Sequence, residues 1–173
     1  MTGRTSARGH AKPDGGDRAR ARRTARRLAL AALFEAEFGQ RTAAAILERH
    51  LGEVELDASA AAVARQIVAS VVAERDRIDA RIERLAPQYP VVQLARMDRA
   101  LLRGAIGEVL HSATPTRVAI AEWVELARIY SGDPMRRLVN GVLGRIAAEA
   151  GGATNPGGSA SPTAETPDHP GAA

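Results

Sequence analysis

Cysteine is absent from the 173 residues, which excludes disulfides, thiolate catalysis and Cys-ligated zinc, and is consistent with a reducing compartment. Aromatic residues are nearly absent too: Phe34, Phe38, Tyr89, Trp123 and Tyr130 are the whole set. The 45% apolar share therefore rests on Ala, Leu, Val and Ile, a supply that suits closely packed helices better than a sheet. No apolar run approaches the roughly 20 residues of a membrane-spanning helix. The longest, from Leu28 to Phe34, is far too short, so a soluble protein that makes no membrane contact is expected. The first twenty residues hold no apolar block, so no secretory signal is expected. An Arg-rich, acid-poor start could mimic an organelle transit peptide, but a cytoplasmic protein is the expectation.

The marks of catalysis are missing as well. His10, His50, His111 and His169 are scattered, with no second His or carboxylate at metalloprotease spacing, so no metal site is expected. Gly15-Gly16-Asp17 is followed by no Lys-Ser/Thr pair and succeeds no strand, which makes it a linker rather than a phosphate loop. No G-x-S-x-G occurs. Glu122 and Glu125 lie three apart on a helix, where exposure or a structural role is the ordinary explanation. Trp123 and Tyr130 sit among apolar neighbours and read as core. With no reaction centre and no cofactor expected, binding becomes the default, and the chain is not read as an enzyme.

What is present is charge, unevenly placed. Residues 1–27 hold nine basic side chains against Asp14 and Asp17, a surplus of seven, so with +4 overall the rest of the chain carries −3. A basic arm on a mildly acidic body suits a polyanionic partner, because clustered Lys and Arg release the counterions condensed on phosphates. Residues 1–17 are rich in Gly and charge, and residues 151–173 are almost wholly Gly, Ala, Ser, Thr and Pro. Neither stretch buries enough apolar surface to offset its ordering entropy. A disordered arm (1–17), a folded domain (18–150) and a disordered tail (151–173) are expected.

Within the domain the apolar period is helical. Ala25, Leu28, Ala29, Ala32, Leu33 and Ala36 form one stripe of a first helix that Gly39 stops. Arg22 and Arg26 are four apart, as are Arg23 and Arg27, so each pair projects from adjacent turns and could straddle a nucleic-acid backbone. A short helix at 42–50 follows, then a long stretch at 57–85 in which a break near 75–77 is allowed for, ended by Pro87 and Pro90. Helices at about 92–111, from Thr114-Pro115 to Tyr130, and from Asp133-Pro134 onward complete the set. No strand-like alternation of useful length appears.

The stretch Arg22-Arg23-Thr24-Ala25-Arg26 leading into Ala31-Ala32-Leu33-Phe34 resembles the basic first helix of the NusB family of transcription antitermination proteins. The second half carries the resemblance further: Ile78-Asp79, Met97-Asp98-Arg99-Ala100-Leu101-Leu102-Arg103, Glu108, Pro115, Val118-Ala119-Ile120, Glu122, Val124-Glu125-Leu126-Ala127-Arg128 and Val139-Asn140-Gly141-Val142-Leu143. It spans residues 22–146. It implies an all-α, seven-helix fold of two packed subdomains that binds the boxA element of ribosomal-operon RNA together with the ribosomal protein NusE. NusA, NusG and RNA polymerase would complete the antitermination complex.

By motif, the resemblance implies RNA contacts at Arg22, Arg23 and Arg26, with Arg27 in the same cluster, since Arg can fork onto phosphate or stack on an unpaired base. Arg117 and Asn140 are further RNA candidates. Asn140 could equally bond neighbouring backbone, and Gly141 reads as a point of close helix approach. Phe34 and Asp98 match the partner interface, where an aromatic anchor beside an acid suits a basic protein. Three positions depart from the family pattern: Phe34 for Tyr, Ala121 for Asn and Leu138 for Phe. Two other readings stay open. Some rRNA cytosine methyltransferases begin with a similar helical domain, though they need a following α/β domain with a glycine-rich loop. A purely protein-binding helical module, its arm incidental, is the other, and a partner-binding apolar face could instead mediate a homodimer.

Overall fold

The structure, a computed structural model, describes residues 15–152. Alanine-rich stripes close on one another as six α-helices: α1 (Gly15–Ala36), α2 (Ala43–Gly52), α3 (Ala58–Leu85), α4 (Arg96–His111), α5 (Thr116–Ser131) and α6 (Asp133–Gly152), with a 3-10 turn at Val91–Gln93. Among the described residues there is no strand, and no helix is long and apolar enough to cross a membrane.

The count differs from the expected seven because α3 is continuous across an interruption at Glu74, whose φ of −114° and ψ of 18° leave the helical region. That break falls one residue before the expected position. Local chemistry sets the other ends. Thr42 Oγ1 accepts from the Ala45 N–H at 3.2 Å, and Asp57 Oδ1 from the Ala60 N–H at 2.9 Å, so α2 and α3 begin with side-chain caps. Gly39, at φ 75°, lets the chain leave α1 through a left-handed turn.

Three expected ends are corrected. Gly15, Gly16 and Asp17, assigned to the disordered arm, are the first turn of α1, where the Asp17 carboxylate suits the positive end of the helix dipole. Thr114 does not cap α5. Its place before proline favours an extended backbone, and the helix begins at Thr116, with the Pro115 carbonyl accepting from the Val118 and Ala119 N–H groups. Gly151 and Gly152, assigned to the disordered tail, are the last residues of α6. The remaining disorder expected for residues 1–14 and 153–173 lies outside the described residues.

α4 is the central helix. Every residue from Ala100 to Glu108 is buried, charged ones included, because α3 packs on one side and α5 and α6 on another. α1 packs on α2, α3 and α4, while α5 and α6 pack on each other. The two groups of helices share one apolar core, running from Ala25, Leu30 and Leu33 through Ile67 and Leu101 to Val139, Leu143 and Ile146. Trp123 lies fully inside it, as expected, whereas Tyr130 is 40% exposed at the end of α5 and does not belong to the core.

A candidate RNA surface and its neighbouring groove

α1 presents its arginines in two classes. Arg18, Arg20, Arg22, Arg23 and Arg27 are exposed. Arg26 is not: it is 1% exposed, and its Nε and Nη2 each donate at 2.8 Å to the two carboxylate oxygens of Glu108, itself fully buried on α4. The Trp123 Nε1–H donates to Glu108 Oε2 at 2.7 Å. One carboxylate thus takes three hydrogen bonds from two other helices and closes a buried junction of α1, α4 and α5. Arg26, expected to touch RNA, is corrected to a core residue. Its side chain falls between Ala25 and Leu30 on the buried face, and its charge is met inside.

The exposed arginines face α5. Arg23 Nε donates to both oxygens of Glu122, at 3.0 and 3.1 Å, and Glu122 Oε2 lies 3.8 Å from Arg26 Nη1. Arg27 Nε lies 3.4 Å from the Tyr130 hydroxyl. These contacts run α5 beside α1 in the same sense, so exposed Arg117 in the first turn of α5 falls toward the Arg18–Arg22 end. Arg22 has no ion pair among the described residues, and with Arg18 it borders a small hollow above Asp57, Ser59 and Ala60.

Arg27 also rims a second feature. A groove of about 360 Å³ opens between α1, α4 and α5, floored by Leu30, Phe34, Phe38, Met97 and Tyr130, with Glu35 and His50 at its edge. Phe34 and Phe38 meet edge to face, 5.4 Å between centroids, and the Arg96 guanidinium stands 4.7 Å over the Phe38 ring. Phe38 is 52% exposed, so the groove shows aromatic surface to solvent. Asp98 follows Met97 in the first turn of α4 and is half-buried. Sequence reasoning named Phe34 and Asp98 but missed Phe38, Met97 and Tyr130. The i, i+4 spacing of Phe34 and Phe38 was the available signal for the first.

A charged network ties α4 to α3 and to the turn after α1. Arg103 forks onto Asp79 at 2.7 Å through Nε and Nη2, and also reaches Glu37, while Arg99 donates to Glu37 at 2.7 and 3.0 Å. Burial alone would lower the Arg103 pKa, but the hydrogen bonds and charges of Asp79 and Glu37 outweigh it and hold the pKa above its ordinary value.

Asn140 is exposed on α6, which packs on α5 and α4. Next to it Leu138 and Gly141 line a hollow of about 290 Å³ shared with Tyr89, Arg137 and Arg145. Arg137, three residues before Asn140 and exposed, and half-exposed Tyr89 were not singled out from sequence. A Cβ at Gly141 would meet nothing within 4 Å, so close helix approach is not its reason. Among the described residues no group of His, Asp and Glu is placed to hold a metal ion.

The NusB family model matches residues 23–148, a span that holds both the arginine face and the groove. This chain belongs to the NusB family. A transcription antitermination protein NusB from Heliobacterium modesticaldum is 40% identical over 129 residues, 74% of this chain and 63% of that protein. The match to the first relative therefore spans less than two thirds of that protein's length. NusB of Dehalococcoides mccartyi is 36% identical over 126 residues, 72% of this chain and 88% of that protein. Among solved structures, T. maritima NusB superposes with a TM-score of 0.68 at 34% identity, covering 74% of this chain and 91% of its own. A chain from a crystal structure of the antitermination factors NusB and NusE in complex with dsRNA superposes at 0.65 with 25% identity, covering 75% and 98%. Both of these relatives are transcription antitermination proteins.

Proposed function

We propose that this protein is an antitermination factor that binds boxA RNA of ribosomal-operon transcripts jointly with NusE. The observation that carries the reading is the adjacency of two surfaces on α1. Exposed Arg22, Arg23 and Arg27 offer guanidinium forks for phosphate, and the Phe34–Phe38 groove, at the end of the helix and in the turn after it, offers an aromatic anchor site for a protein. Arg27 borders both, so RNA and protein would meet there. A relative of the same fold has been crystallised with NusE and dsRNA, which supports the pairing. Arg117 and Asn140 extend the RNA surface along α5 and α6, and Asp98 adds an acidic group beside the groove for a basic partner. NusA, NusG and RNA polymerase, in the cytoplasm, complete the assembly in this reading, and the groove in the unpartnered protein is the face that would pair two copies.

The test is binding of labelled boxA RNA with and without purified NusE across a salt series. Marked tightening by NusE, with log affinity falling linearly against log salt, is expected. RNA binding that NusE leaves unchanged returns the molecule to a helical interaction module.

A further inference from the structure

Glu122 stands inside the arginine cluster without being needed for the neutrality of the core. The buried Arg26 guanidinium is already matched by Glu108 through two 2.8 Å bonds. Glu122 is 3.8 Å from it and 20% exposed, and it spends both oxygens on Arg23, whose side chain is 66% exposed. Of Arg22, Arg23 and Arg27, Arg23 is thus the one held by a carboxylate among the described residues: Arg27 meets the Tyr130 hydroxyl, and Arg22 has no ion pair. Glu125, one turn further along α5, is engaged by Arg128 at 2.6 and 2.9 Å, which leaves Glu122 as the direct competitor for Arg23.

Building on the RNA-binding reading, we propose that Glu122 is a positioning and selectivity residue that holds Arg23 in reserve. It occupies the Nε edge of the guanidinium and subtracts one charge from the arginine face as any polyanion approaches. Non-specific binding scales with the number of phosphates a face can neutralise, so this subtraction weakens every polyanion alike. An RNA seated by Arg22 and Arg27 sets a phosphate against Arg23 at fixed range and displaces the carboxylate, recovering the contact. The ratio of specific to non-specific binding rises as a result. A carboxylate that merely tied α5 to α1 would leave the ratio of specific to non-specific binding unmoved and would lower Tm when removed.

The experiment measures fluorescence anisotropy of two labelled single-stranded RNAs of equal length, one carrying boxA and one scrambled, against full-length protein in 50–300 mM KCl, a range set by the salt slope. Glu122→Gln is expected to tighten the scrambled RNA by about twofold to fivefold, the range of an exposed ion pair. It should tighten boxA less, and steepen the salt slope by about one. Glu122→Asp should behave as wild type. In an Arg23→Ala background the effect of Glu122→Gln should shrink below about twofold, because the pair it releases is gone. The proposal is overturned if Glu122→Gln leaves both affinities and the slope unchanged, if it weakens binding in step with a lowered Tm, or if its effect persists in full without Arg23. Wild-type protein that binds neither RNA, with purified NusE present as well as absent, overturns the RNA reading and this proposal together. Binding that is indifferent to Glu122 overturns this proposal alone.

Discussion

Gly104 on α4 lies so close beneath the indole of Trp123 on α5 that a Cβ added there would come within 2.5 Å of Cη2. The ring cannot slide away freely, because its Nε1–H is committed to Glu108 at 2.7 Å and the side chain is wholly buried. Gly104→Ala should therefore destabilise the fold by about 1–3 kcal/mol, the usual cost of overpacking, even though alanine is the better helix former. Urea unfolding measures this. A variant as stable as wild type, or more so, would mean that α5 can withdraw from α4 without loss.

Arg26 and Glu108 carry the second prediction. Arg26→Ala strands a buried carboxylate and should lower stability by about 3–5 kcal/mol. Replacing both partners, Arg26→Met with Glu108→Leu, should recover part of that loss, since neither charge is then left alone although the buried Trp123 Nε1–H loses its acceptor. The double variant should also bind RNA within about twofold of wild type, because the Arg26 guanidinium does not reach solvent. Loss of RNA binding in a stable double variant would place Arg26 back among the contacts.

The misreading of Arg26 shows where a sequence stops being informative. The apolar stripe of α1 was legible, and Ala25, Ala29, Ala32 and Leu33 are buried as their spacing predicts. That stripe counts apolar residues, however, and α1 buries a wider face because α2, α3 and α4 all pack on it. Arg26 lies within that face, and its partner is 82 residues away, a separation no local period reveals. The same limit applies to Tyr130, which looked apolar by its neighbours but stands at a helix end. The helices expected at 42–50 and 57–85 were legible because Thr42 and Asp57 cap them within one turn, whereas Asp133, expected to cap the last helix, is instead its first residue and bonds Arg136. The groove was half legible: Phe34 and Asp98 came from motif, while Phe38, Met97 and Tyr130 needed the crossing of three helices to meet.

Acid should weaken the fold in a defined window. The carboxyls of Glu35, Glu48, Glu125 and Glu149 lie below their ordinary value of 4.5, and that of Asp133 below 3.8, each lowered first by a hydrogen bond from Arg49, Arg65, Arg128, Arg84 and Arg136 respectively. A carboxylate with a lowered folded pKa binds fewer protons when folded than when unfolded. Its contribution is therefore present in full above the ordinary pKa and lost as pH falls through the lower, folded value. Tm should be level from about pH 7 to 5 and decline below about 4.5. The decline should be gentle, since all five groups are at the surface and screened by solvent and salt. Thermal melts at low ionic strength measure it, and a Tm still level at pH 3 would remove these pairs from the account of stability.

The exposed ring of Phe38 separates partner binding from folding. More than half of its surface is open, so Phe38→Ala removes little buried area and should cost less than about 1 kcal/mol of stability. The same ring is the most projecting part of the groove, braced edge to face by Phe34 and capped by Arg96. An aromatic of that kind is where interface energy concentrates, so Phe38→Ala should weaken NusE binding by about tenfold or more. Phe34 is half-buried and packs against the core, so Phe34→Ala should lose both stability and NusE binding. Affinity for RNA alone should hold in Phe38→Ala, because Arg22, Arg23 and Arg27 keep their places on α1. Calorimetry with purified NusE, beside RNA anisotropy on the same preparation, distinguishes the outcomes. Unchanged NusE affinity in Phe38→Ala would move the partner off this groove, and an equal fall in RNA affinity would make the two surfaces one.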